Sequence, residues 1–454
     1  MKHLVAAIGI AVIGATALHG QSQYQTQPSP NAELTPQEKA KFWSVSAALR
    51  GFYDDNYTAI PKNQPGVGGP LRSFGVEVSP SLSLNWSQAE TLVGASYTYD
   101  WKWYEKQHDT DETHEFNGKF IHNFSPRYRI EANDSFVLSS EPTVIDTTTI
   151  TAPTKRTLED NLRNRGSILF SAELTPILGS EIAYQNTLYD YREDIGDLTF
   201  DGNGLRGPSR SGLLDRDEHL VTLDLRWKAL PETTGILGYQ FQFRDFTSDE
   251  QLIETSPGFA SLNFPASIRS SRSHFLFVGV DQSVGPNLRA SVRVGAQYLD
   301  YYNYHTDKVS PYGDASLTYT YLPGSYVQVG VRHEHAATDI LGDTTTIVNQ
   351  LSTAQRPNIV LDQEATSVYG ALTHRITARL TGSVLGQYQN SSFNGGGTGF
   401  NDENENFFLA NLNLAYKVNP YLLTEAGYEF DRLDSKFGRD YTRNRVYIGL
   451  RGTY

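Results

Sequence analysis

The chain of 454 residues has no cysteine and a single methionine. Without cysteine there is no disulfide framework, no thiolate zinc site, no cysteine nucleophile and no lipid-bearing N-terminal cysteine. Beyond residue 17 no apolar run approaches the ~20 residues with which a helix spans a bilayer. Positive charge is scarce: 38 Lys+Arg stand against 51 Asp+Glu, for a net −13, which argues against nucleic acid as a partner. Hydrophobic residues make up only 39%, below the usual ~45–50%. Aromatics nevertheless reach 12%, with 27 tyrosines, far too many for a disordered chain.

What is present begins with an export signal. Met1-Lys2-His3 is a short basic region and Leu4 to Ala17 an apolar one. Small residues place the cut after Ala17 or after Gly20. The expected organisation is a signal peptide at 1–20, a polar periplasmic segment at 21–41 and a single domain at 42–454. A polar N-terminal segment of that length leaves no room for a plug domain.

From Trp43 onward the sequence alternates. Trp43, Val45, Ala47, Leu49, Gly51 and Tyr53 share one face, and Ser44, Ser46, Ala48 and Arg50 the other. The same period of two recurs in 93–101, 221–227, 237–243, 288–294, 408–416 and 426–430, as strands with one apolar and one polar face require. No stretch of helical period longer than two turns follows the signal. Eight short links, such as Gly285-Pro286-Asn287 and Leu322-Pro323-Gly324, alternate with nine long polar links. These are expected at 55–72, 105–112, 141–164, 192–217, 245–270, 301–308, 333–365, 391–405 and 433–440. The rhythm predicts an all-β transmembrane antiparallel barrel of about 18 strands, with 16 the next choice, short periplasmic turns and long extracellular loops. From residue 43 to the end there are 412 residues, about 23 per strand and connection. Trp86, Phe124, Tyr128, Trp227, Tyr416 and Tyr421 near the short turns, and Tyr53, Trp101, Trp103, Phe243, Tyr298 and Tyr388 at the opposite ends, predict two interfacial belts.

The last strand alternates Val446, Ile448, Leu450 and Tyr454 against Arg445, Tyr447, Arg451 and Thr453. It resembles the C-terminal strand by which bacterial outer-membrane proteins are recognised for insertion, and the resemblance implies the barrel-assembly machinery as a partner. With Tyr53-Asp54-Asp55-Asn56 after the first strand and hairpins filling the chain, the sequence resembles porin-type outer-membrane barrels, and more narrowly the putative beta-barrel porin 2 family. That resemblance implies a multi-pass protein of the Gram-negative outer membrane, among lipid and lipopolysaccharide, with channel activity and no catalytic residues or cofactor to carry over.

Strict alternation assigns to the lumen Arg50, Lys102, Lys119, Arg129, Arg226, Arg244, Arg289, Arg293, Arg332, Arg445 and Arg451. Opposing them are Glu77, Asp100, Glu131, Glu173, Asp224, Glu425, Glu429 and Asp431. Arg375, Asp281 and Asp314 belong to strands of less certain phase. The excess acid is then expected at the mouth, in Asp54, Asp55, Asp109, Asp111, Asp194, Asp197, Asp201 and Glu403. Two places break the pattern: both faces are apolar at 275–282, and Asp134 falls on the lipid face unless a bulge intervenes.

Catalytic signals are sparse. His333-Glu334-His335, with Asp339 nearby, is the best metal-like group, since alternate histidines on a strand share a face, but a solvated strand end is the favoured reading. The runs His108-Asp109 with Asp111 and Glu112, and Asp402-Glu403 with Glu405, read as hydrated loops or as cation bridges to lipid. Gly66–Gly69 and Gly395–Gly397 precede no helix and read as flexible loop tips, not phosphate cradles. The sequence therefore points to a non-enzymatic channel for passive diffusion of small hydrophilic solutes. A non-conducting barrel for surface assembly, polysaccharide export or adhesion is the alternative, and an outer-membrane hydrolase a distant third. Barrels of 16–18 strands keep an aqueous interior, which favours the first.

Overall fold

A computed structural model of the chain describes residues 41–60, 69–106, 108–140, 160–192, 205–206, 208–255, 264–352, 355–396, 400 and 403–454. The signal, most of the polar segment and most of the 141–164 link lie outside the described residues.

Eighteen strands form one sheet. They are β1 (Trp43–Asp54), β2 (Ser73–Ser87), β3 (Thr91–Tyr104), β4 (Asp109–Ser125), β5 (Tyr128–Ser139) and β6 (Asn161–Glu173). Next come β7 (Leu178–Tyr191), β8 (Arg216–Leu230), β9 (Thr233–Phe246), β10 (Ser271–Val284), β11 (Leu288–Tyr301) and β12 (Thr306–Leu322). The last six are β13 (Ser325–Ala336), β14 (Gln363–Arg375), β15 (Leu380–Phe393), β16 (Glu403–Asn419), β17 (Leu422–Ser435) and β18 (Tyr441–Thr453). Each pairs antiparallel with its sequence neighbours, and β18 returns to β1 in a register from Ser46↔Thr453 to Asp54↔Arg445. The sheet is thereby closed, so no strand edge presents bare N–H and C=O groups to lipid.

At the end where β1 starts and β18 finishes, all eight links have two to four residues. Gly285 (φ 65°) and Gly324 (φ 76°) turn two of them, where the left-handed backbone strains any residue with a Cβ. At the other end, the links expected to be long at 105–112 and 301–308 shrink to four residues each, 105–108 and 302–305. There the polar ends of β3, β4, β11 and β12 keep pairing beyond the membrane. Two of the remaining links carry short helices, α1 (Arg210–Leu214) and α2 (Thr344–Ser352). At nine residues α2 slightly exceeds the two turns expected as the helical limit, because it packs Ile347 into a core that only the folded links create.

The outer face is an apolar belt that includes Leu49, Leu225, Leu237, Val294, Ile448 and Leu450, all exposed. Ten strand residues tilted near 45° rise about 23 Å, the height of a barrel's hydrocarbon band. Its extracellular rim repeats one device in five hairpins. The outward tyrosine hydroxyl of one strand meets a His or Asn on the next, two residues beyond its register partner: Tyr97–His114 (2.9 Å), Tyr184–His219 (2.8 Å), Tyr239–His274 (2.8 Å), Tyr388–Asn406 (2.8 Å) and Tyr428–Asn444 (2.6 Å). A phenol at the headgroup level keeps its ring in lipid and its hydroxyl satisfied.

Both anomalies in the pattern have causes. At 275–282 the inward Phe275 and Phe277 form a buried cluster with Ile236 and Tyr312 on the inner wall. Asp134 does face outward: no bulge interrupts its pairing with Gly118 and Gly166. The Asn164 amide donates to its carboxylate at 3.2 Å, and the flanking glycines let that contact form on the outer surface.

Candidate functional site: the barrel interior and its extracellular lid

Strand pairing places all the charges expected in the lumen, from Arg50 to Arg451, on one inner face, together with Asp281, Asp314 and Arg375. They are tied sideways to one another. Arg50 bonds Glu77 on β2 and Glu425 on β17 (2.6 Å). Arg226 joins Glu181 (3.3 Å) and Asp281 (3.0 Å), and Arg293 also reaches Asp281 (2.8 Å). Arg129 and Lys119 share Glu131 (2.7 and 3.7 Å). Glu181, Glu218, Arg165 and Arg443 occupy the same face and escaped the sequence reading; each sits two residues along from an inward position, so parity alone could have found them.

Inner side chains lie along the wall. The Phe277 ring occupies the space a Cβ would need at Gly238, Tyr369 does so at Gly330, Tyr447 at Gly427 and Phe52 at Gly75. Arg293 and Arg50 lie in the same way over Gly279 and Gly449. An inward glycine on one strand thus lets a long neighbour fold flat, as aromatic residues do over glycines in other sheets. Arg293 is in consequence fully buried although it sits on the inner face.

The seam between β1 and β18 is held by the Tyr53-Asp54-Asp55-Asn56 motif. Asp54 is wholly buried and accepts Nε–H from Arg443 (2.8 Å) and Arg445 (3.0 Å). Asp55 accepts from the Asn444 backbone N–H and side-chain amide, both at 2.7 Å. The Asn56 amide donates to Thr442 O (3.2 Å) and Ile60 O (3.0 Å). Asp54 and Asp55 are therefore clasp residues and not free charge at the mouth. Asp111 is likewise buried, whereas Asp194, Asp197 and Asp201 lie outside the described residues. At the other face of the seam Tyr454 exchanges backbone bonds with Val45 (2.8 and 3.2 Å) and packs its ring 5.7 Å from Trp43.

The extracellular links fold over the mouth into a lid. Leu213, Leu214, Phe246, Leu252, Ile253, Phe264, Ile347 and Ile359 build its core from the β7–β8, β9–β10 and β13–β14 links. Arg269, fully buried, donates to Leu213 O (3.0 Å) and to Thr338 O. Burial holds its guanidinium down to about 10. The neighbouring Asp339 accepts from Arg439 (2.5 Å), which also grips Glu405 (2.6 Å). Arg439 keeps the Asp339 carboxyl below its ordinary range. Residues 338–339 thus tie the β8–β9 side of the ring to the β17 side, nine strands away. Gly395 and Gly396 are not loose tips: Asp343 N–H donates to Gly396 O (3.0 Å), and Gly342 (φ 126°) meets Gly396 so closely that neither position admits a side chain.

The metal-like group does not assemble. His333 faces outward to Thr366 (2.8 Å) and Glu364 (3.0 Å), Glu334 faces inward to Arg332, and His335 turns in to Ser310 (2.6 Å). The two histidines lie on opposite sides of the wall because β13 leaves β12 after His333. Among the described residues no group of three or more metal-ligating side chains forms. Glu405 points into the lid and Glu403 pairs with Lys436 (2.6 Å), so neither is an open cation bridge.

Among solved structures the chain is similar to outer membrane protein OpdK from Pseudomonas aeruginosa, at 11% identity and a TM-score of 0.42, covering 91% of this chain and 99% of that one. Pseudomonas aeruginosa OpdL matches at 11% and 0.42 over 90% and 99%. Acinetobacter baumannii OccAB4 matches at 11% and 0.39 over 92% and 100%. No curated protein sequence matches the chain. Residues 338–454, from the lid to the last strand, match the family described as "Putative beta-barrel porin 2". The chain thus closes as an 18-stranded antiparallel β-barrel, and its residues 338–454 are similar to the putative beta-barrel porin 2 family.

Proposed function

We propose that the barrel is a channel through which small hydrophilic solutes diffuse passively across the outer membrane. What supports this reading is that inner side chains lie flat over glycines and pair along the wall of an 18-stranded sheet, a size that leaves an aqueous interior. Partly exposed wall charges such as Lys119, Arg129, Asp281 and Glu429 border this path, and the lid narrows its outer end. Because these charges are mutually neutralised, the pore filters ions weakly. Remaining acid at the mouth favours cations at low salt, through a field that salt screens within ~10 Å at 0.1 M. The first 20 residues serve export, and Val446, Ile448, Leu450 and Tyr454 serve recognition by the assembly machinery.

Planar-bilayer recording of the refolded chain tests this. The expected result is single-channel conductance with a weak cation preference that fades as salt rises. Strong anion preference at low salt would overturn the charge model. A folded barrel without conductance would overturn the channel itself and favour surface assembly through the lid.

A further inference from the structure

One inner-wall cluster is unlike the charge pairs around it. Pro311 in β12 has no N–H to donate, and pairing with β13 ends at Gly313↔His333 while β13 stays on β14 as far as Ala336↔Gln363. Freed from β12, His335 turns inward and is buried. Its Nε2 lies 2.6 Å from Ser310 Oγ, and its Nδ1 lies 3.0 Å from Asp362 Oδ2. Asp362 is fixed further by the Tyr301 hydroxyl and the Lys308 ammonium (2.5 Å), and the His335 N–H is donated to Gln297 Oε1 (3.3 Å).

We propose that Ser310, His335 and Asp362 form a nucleophile–base–carboxylate site that hydrolyses small carboxylic esters at the inner wall beneath the lid. The Asp362 charge 3.0 Å from Nδ1 favours the tautomer protonated there, which leaves Nε2 to accept the serine proton. Ser310 Oγ attacks the ester carbonyl carbon and its proton passes to His335 Nε2. The C–O bond to the leaving alkoxide breaks, and the alkoxide departs as an alcohol with that proton. Water then attacks the acyl-serine, gives a proton to His335, and the carboxylic acid leaves as Ser310 recovers its own. Gln297, directly opposite Ser310 in register, keeps its Oε1 on the His335 N–H and donates one amide hydrogen to Ser273 Oγ (3.4 Å), so its second amide hydrogen is the neutral donor assigned to the developing oxyanion. Ser310 is 8% exposed, which excludes a polymer. The site does not depend on conduction.

The test uses the full chain folded in detergent, with folding verified by heat-modifiable migration. It is treated with a fluorophosphonate probe and, separately, supplied with p-nitrophenyl acetate. The expected results are a covalent adduct mapped to Ser310 by mass spectrometry, absent from Ser310→Ala, and ester turnover reduced by at least about 100-fold in Ser310→Ala and His335→Gln. Ser310→Ala removes one hydroxyl and leaves the wall intact; should His335→Gln fail to fold, the adduct on the wild-type chain still decides. A folded wild-type barrel with no adduct on Ser310, or turnover unchanged in folded Ser310→Ala, would overturn the proposal.

Discussion

Replacing Asp54 by alanine should loosen the closure of the barrel more than any single loop change. The Asp54 carboxylate is wholly buried and takes two charge-assisted bonds, from Arg443 (2.8 Å) and Arg445 (3.0 Å), besides the Asn56 N–H (3.0 Å). Its loss removes the shortest charge-assisted bonds of two buried guanidiniums on the inner face. Breaking a buried ion pair from one side costs about 3–5 kcal/mol. Both arginines retain weaker partners: Arg443 has Asp431 at 3.5 Å, and Arg445 has Tyr104 at 3.1 Å and Glu429 at 3.8 Å. The expected cost is therefore near the lower end, ~3 kcal/mol. Asp54→Asn keeps the shape and one acceptor but not the charge, and should lose roughly 1.5–3 kcal/mol. Urea unfolding of the refolded barrel, read by tryptophan emission and by heat-modifiable migration, measures both. An Asp54→Ala barrel unfolding within about 0.5 kcal/mol of wild type would refute the clasp, since that is the scatter of inert surface changes.

Leu450, exposed on the lipid face of β18, should tolerate aspartate poorly: membrane insertion falls well below that of any lid deletion, and normal yields of heat-modifiable barrel would contradict this. Gly330→Ala places a methyl where the Tyr369 ring lies, so the ring swings toward the axis and single-channel conductance drops while the fold persists. An unchanged conductance would show that the ring does not border the water path. The lid should respond to acid in two directions. Burial raises the Asp215 carboxyl to about 6, above its unfolded value, so its contribution is full at low pH and is lost as pH rises through 6. Asp339 and Asp362 are held low by Arg439 and by His335 with Lys308, so their contributions persist at neutral pH and are lost only on strong acidification. Hydrogen-exchange protection factors across 208–215, corrected for the intrinsic pH dependence of exchange, should accordingly rise between pH 7 and 5, and no change there would sink the assignment.

Most of the architecture was legible in the chain. A period of two dictates strands with unlike faces, the absence of long apolar runs excludes helices as the membrane-crossing elements, and alternating link lengths set both strand number and orientation. Parity then assigned Arg50, Glu77, Arg293 and Arg445 to the inner face without any knowledge of their partners. Which charges meet was not legible, because pairing depends on register and on which inward positions are glycine. Arg50 reaches Glu425 only by lying over Gly449, two strands across a seam that joins residues almost 400 apart in sequence. Nor could alternation show that His335 turns inward. That reversal follows from a proline on the neighbouring strand, and it joins Ser310, His335 and Asp362 from three separate segments. Local pattern fixes the face a side chain occupies, since that is a property of one strand; its partner is a property of the closed ring, and only the ring decides it.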